Sequence, residues 1–237
     1  MRLGILKADA VLPDLAARFG EYPDMFARVL SAADPSLSYQ VFDVEHGPLP
    51  ASLDACDGWL ITGSRRSVYE PVPWIERLGE LVRELVAQKR KLVAVCFGHQ
   101  LVAHVLGGKT ERAPHGWTVG VQEHRIDAPY PWAAPGADTI RMIHTHQDQA
   151  VVLPPGAVRV GGNELVPNAL FRIGDHVMAF QGHPEFDPGY ARALYDGRRA
   201  VLGEETWGRA VESLAAPTDA AALADAVAAF LRGDRPR

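Results

Sequence analysis

Residues 74–108 constrain the fold more than any other part of this 237-residue chain. Ile75, Leu78, Val82, Leu85 and Val86 recur at helical spacing and lay one apolar stripe along a helix expected over 74–90. Lys89, Arg90 and Lys91 are expected to close its last turn, where cations suit the helix dipole. Leu92-Val93-Ala94-Val95 follows at once, an apolar run with no polar alternation. That is the pattern of a strand covered on both faces. A second helix is expected over 98–106, with Leu101, Val102, Val105 and Leu106 inward and Gly107-Gly108 as its stop. A strand buried on both faces between two helices implies a parallel sheet with helices on either side, an α/β architecture.

The flanking segments extend the pattern. Short strands are expected over 3–6, 39–44 and 58–63, and a loop followed by a helix over 13–30. From Lys109 to about Val160, prolines at 114, 129, 131, 135, 154 and 155 punctuate short strand-like pieces at 119–121 and 139–143. Strands over 169–173 and 177–181 flank Gly174-Asp175 as a β-hairpin. Helices are expected over 188–201 and 219–232, packed on the same core, so residues 1–237 read as a single domain. With 47% apolar residues the chain can bury a sizeable core. Two cysteines exclude a disulfide framework, and a net charge of −5 gives no overall bias toward nucleic acid. No apolar run approaches the ~18 residues that span a membrane. The first nine residues break their apolar stretch too early for a signal peptide, so a cytoplasmic location is expected.

Three segments carry chemistry. Cys96 lies between the buried strand and the helix that follows it, the position of a nucleophile on a tight strand-to-helix elbow. The helix N-terminus favours thiolate there, and the Phe97 N–H is placed to meet an oxyanion. Taken alone, Cys96 is equally a buried structural cysteine. His183 precedes Pro184, which biases it toward extended geometry, so His183 and Glu185 project together as a base and its orienter. Taken alone, they are equally a surface turn. Gly63 and Ser64 end a central strand, where backbone N–H groups could supply a second oxyanion donor or simply form a loop.

Together, Cys96-Phe97-Gly98-His99-Gln100, Gly182-His183-Pro184-Glu185 and the Gly63-Ser64 turn resemble the class I glutamine amidotransferases. Within that family the chain is most similar to stand-alone GMP synthase-like domains, which include the γ-glutamyl peptidases. The resemblance implies a flavodoxin-like three-layer fold with a mostly parallel central sheet. It implies Cys96 as nucleophile, His183 as general base and acid, and Glu185 as orienter of the imidazole. The backbone of Gly63, Ser64 and Phe97 would supply the oxyanion hole. Gln100 would line a glutamine pocket, and the segment holding Gln147 and Asp148 would hold the substrate's α-carboxylate. It implies glutamine or a γ-glutamyl small molecule as substrate, ammonia or an amine as the leaving group, no cofactor, and a separate synthase subunit where an acceptor is used. Many relatives carry Gly-Gly-Pro where this chain has Gly63-Ser64-Arg65. Arg65 and Arg66 therefore add charge at the mouth that could select an acidic substrate, or are solvated loop residues. A partner-free γ-glutamyl hydrolase and a non-catalytic binding module are the alternatives.

Other constellations are less specific. His144 and His146 with Asp148 could suggest a metal site, but no third ligand stands at a telling spacing, and the segment reads better as pocket wall. His115, His124 and His176 show no pattern. Cys56, flanked by Asp54 and Asp57, is expected to have a raised pKa and no catalytic use. Gly116-Trp117 and Trp132 read as packing residues, and no Walker or Rossmann glycine loop appears.

Overall fold

A computed structural model describes residues 1–128 and 138–234. Pro129, Pro131, Pro135 and Trp132 lie outside them. The first half contains β1 (Arg2–Lys7), α1 (Pro13–Phe19), α2 (Tyr22–Ala33), β2 (Ser38–Asp43), β3 (Gly58–Ile61), α3 (Pro73–Ala87), β4 (Leu92–Val95) and α4 (Phe97–Val105). Then come β5 (Lys109–Arg112), β6 (Thr118–Ile126), β7 (Thr139–His146), β8 (Asp148–Val152), β9 (Ala157–Gly162), β10 (Leu170–Ile173) and β11 (Val177–Phe180). The helices α5 (Pro188–Gly197), α6 (Arg199–Leu202), α7 (Glu204–Ser213) and α8 (Ala220–Arg232) follow. Among the described residues no helix is long and apolar enough to cross a membrane.

Among the described residues, nine strands form the central sheet in the order β2-β1-β3-β4-β11-β10-β9-β6-β7. β2 through β11 run parallel, and β10, β9, β6 and β7 continue as an antiparallel wing. β5 and β8 pair separately. The apolar run of β4 explains the layering. Val93 and Val95 enter one core, with Phe26, Leu30, Val227 and Phe230 of α2 and α8. Leu92 and Ala94 enter the other, with Ile75, Leu78, Val82 and Leu101 of α3 and α4. Successive strand residues point to opposite faces, so a run with no polar position has two cores to fill. Each Leu or Val so buried contributes about 1.5–3 kcal/mol.

Several boundaries differ from expectation. α3 stops at Ala87, and Lys89 takes φ 54°, so Lys89, Arg90 and Lys91 lie beyond its last turn. Lys91 instead donates to the Asp175 carbonyl and lies over the Phe230 ring. The helix expected over 188–201 is two helices meeting at Arg198, and α7 was not anticipated. The pieces at 119–121 and 139–143 are parts of longer strands, because β6 and β7 pair with each other along most of their length.

Register positions the site. Ile61 of β3 pairs with Ala94 of β4, and Val95 of β4 with Phe180 of β11. The three parallel strands therefore end together, and the residues that follow them emerge on one edge, the carboxyl edge where parallel sheets bind ligands. α4 can start there only because Gly98 has no side chain. A Cβ at Gly98 would stand 2.8 Å from Ile61 Cβ and 2.9 Å from the Ile61 carbonyl oxygen. Gly98→Ala is expected to cost about 1–3 kcal/mol by overpacking. Urea unfolding measures this, and an unchanged midpoint would show that α4 can retreat freely.

Candidate active site

Cys96 sits at the strand-to-helix elbow with φ 51° and ψ −100°, a conformation that L-residues rarely adopt. Such strain costs on the order of 1–3 kcal/mol and persists only where the surroundings enforce it. Here the Cys96 N–H donates to the Phe180 carbonyl of β11, and its own carbonyl accepts from the Gln100 N–H of α4. The side chain is buried but lines a cleft of about 240 Å³.

His183 follows β11 by three residues. Its N–H donates to the Ile143 carbonyl of β7, which fixes the extended backbone that Pro184 favours. Its Nδ1 lies 2.8 Å from Glu185 Oε1, and the Glu185 side chain is fully buried. The Phe186 ring stacks on the imidazole at 4.0 Å and 3°. Burial works against charge on His183, but the Glu185 carboxylate, and then Cys96, outweigh it and raise its pKa. Nε2 has no partner of ordinary hydrogen-bond geometry. Gly63 leaves room for this meeting, since a Cβ there would stand 3.0 Å from His183 Cε1 and 3.6 Å from Cys96 Cβ. The structure thus brings Cys96, His183, Glu185 and the Gly63-Ser64 turn to one place. No acceptor among the described residues takes the Ser64 or Phe97 N–H.

The expected substrate-pocket residues divide. Gln100 donates from Nε2 to the Asp148 carbonyl at 2.7 Å and to Gln181 Oε1 at 3.2 Å, so its amide braces the wall. The Asp148 carboxylate accepts from Ser67 Oγ at 2.5 Å and Tyr69 at 3.2 Å, which ties the loop after β3 to the start of β8. Gln147 lines the cleft, and its carbonyl accepts from the Ala113 N–H. The two arginines, read in sequence either as selecting an acidic substrate or as solvated loop residues, are both ion-paired on the loop. Arg65 is held by Asp9, which accepts from its backbone N–H, Nε and Nη2, and Arg66 pairs with Glu70. Their charges are therefore matched within the protein. Trp117 lines the cleft rather than only packing.

His144 and His146 belong to a buried row. His124 Nε2 lies 2.8 Å from His144 Nε2, His144 Nδ1 lies 3.0 Å from His146 Nε2, and His146 Nδ1 lies 2.9 Å from the Asp148 carbonyl. A carbonyl only accepts, so His146 carries its proton on Nδ1. His144 then donates from Nδ1, and His124 from Nε2, along a row of neutral rings. Burial lowers the pKa of His146 to about 3 and of His124 to about 4, and holds that of His144 well below its ordinary value. The row props the Asp148 backbone against the cleft. His124 has no visible role in sequence because its partners lie on another strand. Cys56 is buried, and burial, more than its acidic neighbour Asp57, pushes its thiol up.

With this geometry in hand, the comparisons are direct. Residues 27–195 match the glutamine amidotransferase class-I domain. The chain belongs to the class-I glutamine amidotransferase family. It is 31% identical over 177 residues to gamma-glutamyl peptidase 3 of Arabidopsis thaliana, covering 71% of this chain and 70% of that protein. It is 27% identical over 243 residues to a glutamine amidotransferase-like protein of Schizosaccharomyces pombe, covering 97% and 98%. The crystal structure of a glutamine amidotransferase from Thermotoga maritima superposes with a TM-score of 0.74 at 18% identity, covering 97% of this chain and 96% of that one. That likeness carries the flavodoxin-like fold of the amidotransferases. Beyond the expected residues, this amidotransferase-family cleft includes Arg198, which sequence spacing does not single out because it stands at a helix break.

Proposed function

We propose that this chain is a cysteine-dependent amidohydrolase that cleaves the γ-amide of glutamine or of a γ-glutamyl compound. The observation that carries the reading is the meeting of Cys96, the His183–Glu185 pair and two backbone N–H groups with no acceptor among the described residues, beside a cleft that Cys96 and Ser64 line. In this mechanism Cys96 Sγ attacks the amide carbon as His183 takes the thiol proton. The oxyanion is received by the Ser64 and Phe97 N–H groups; each such donor is worth about 10²–10³ in rate. His183 passes the proton to the amide nitrogen, the C–N bond breaks, and ammonia or an amine leaves a γ-glutamyl thioester on Cys96. His183 then takes a proton from water, which attacks the thioester. The C–S bond breaks, the proton returns to sulfur, and glutamate leaves. Glu185 orients and charge-stabilises the imidazole throughout.

A second reading, a γ-glutamyl peptidase, is supported by the name of the Arabidopsis relative. An amidotransferase proper would instead pass ammonia to a synthase. The test is to incubate the purified protein alone with glutamine, and separately with γ-glutamyl dipeptides, and to measure glutamate. Faster release from dipeptides favours the peptidase. Release from glutamine that rises when a synthase subunit is added favours the amidotransferase. No glutamate from any of them rejects the proposal.

A further inference from the structure

Among the described residues, the cleft carries one positive charge that the protein does not neutralise. Arg65 is matched by Asp9 and Arg66 by Glu70, and near Arg198 in the chain Arg192 is matched by Asp196 and Arg199 by Glu204. Arg198 has no carboxylate partner among the described residues. Its Nη1 donates to Thr145 Oγ1 at 2.6 Å, and its guanidinium lies 5.2 Å over the Trp117 ring. These two contacts hold the side chain in place and use one of its five N–H donors. Both partners line the cleft that contains Cys96.

Its position along the cleft matters. Phe186 stacks on His183, Tyr22 stacks on Phe186, and the Tyr22 hydroxyl meets that of Tyr190 at 3.3 Å. Burial raises the phenol pKa of Tyr22 and Tyr190, and the Arg198 charge is close enough to pull each back down. Thr145, which holds Arg198, lies two residues beyond Ile143 on β7, and the Ile143 carbonyl accepts the His183 N–H, so Arg198 is seated on the strand that also anchors His183, the group that hands a proton to the leaving nitrogen in the proposed reaction. The Gln100–Asp148–Ser67 cluster, which also lines the cleft, has polar groups that satisfy one another.

We infer that Arg198, steadied by Thr145 and Trp117, binds a carboxylate on the leaving group, so that the substrate class is γ-glutamyl amino acids or peptides with a free carboxylate on the departing part. This rests on the proposed reaction and names its substrate. A fixed, half-buried guanidinium meeting a carboxylate forms a charge-assisted pair, which glutamine's leaving ammonia cannot offer.

The test compares γ-glutamylglycine with γ-glutamylglycinamide, which differ only in that carboxylate. The native protein is expected to prefer the free acid by about 10- to 100-fold in kcat/KM. In Arg198→Met the preference should fall to near one, and in Arg198→Lys it should be intermediate. A ratio does not depend on how much of a variant folds, and the native protein tests the idea without any variant. A native ratio near one, or a ratio unchanged in Arg198→Met, overturns the inference while leaving the proposed reaction standing. Release from neither dipeptide by protein that hydrolyses glutamine overturns the inference alone. No glutamate from any substrate overturns both.

Discussion

Cys96→Ala is expected to lower glutamate release by about 10⁴-fold or more, because members of a nucleophile-base unit lose nearly all activity when the nucleophile goes. The fold should persist, since the elbow is held by backbone bonds to Phe180 and Gln100 rather than by the sulfur. Circular dichroism and a melting curve check that point alongside the activity assay. An electrophilic glutamine analogue should label Cys96 and spare Cys56. Cys56 is also buried, its thiol pKa is raised by that burial, and it lies outside the cleft. Activity surviving in Cys96→Ala, or label on Cys56, would remove Cys96 from the chemistry.

Stability is expected to fall steeply below about pH 6.5. Burial holds His99 and His146 near a pKa of about 3 and His124 near about 4, and depresses His144 as well. These rings stay neutral in the folded state, whereas in the unfolded chain they bind protons below about 6.5. Their contribution is full above that value and is lost as pH falls, at up to about 1.4 kcal/mol per pH unit for each ring. Four rings together rival the whole stability of an ordinary domain within two units. His183 has the opposite sign. Its raised folded pKa adds stability that is complete below about 6.5 and is lost as pH rises through the folded value. The combined profile should be asymmetric, with a maximum near neutrality, a steep acid limb and a shallow alkaline one. Urea midpoints from pH 8 to pH 5 measure it, and a midpoint that is flat between pH 7 and 5 would contradict the neutral histidine row.

Much of this was legible in the residues. Leu92–Val95 announced a strand with two cores, and its alternation between them is what the structure shows. The Cys96 elbow and the His183-Pro184-Glu185 segment were readable because each depends on local geometry: a strand-to-helix turn, a proline that keeps its neighbour extended, and an i, i+2 pair that shares a face. What escaped was set by distant neighbours. The seating of Arg198 on Thr145, the neutralisation of Arg65 by Asp9, and the union of His124 with His144 each join residues distant in the chain. The charge that looked available at the cleft mouth was Arg65 and Arg66; the uncompensated one is Arg198.

The sequence by itself determined the layered α/β core, the elbow and the three side chains that meet there, since periodicity, turn chemistry and short-range geometry are written residue by residue. The tertiary structure alone decided which charges are cancelled, which histidines lose water, and which residues share the cleft. Those properties depend on desolvation and on contacts across the sheet, and register between strands, not spacing along the chain, brings such groups within reach.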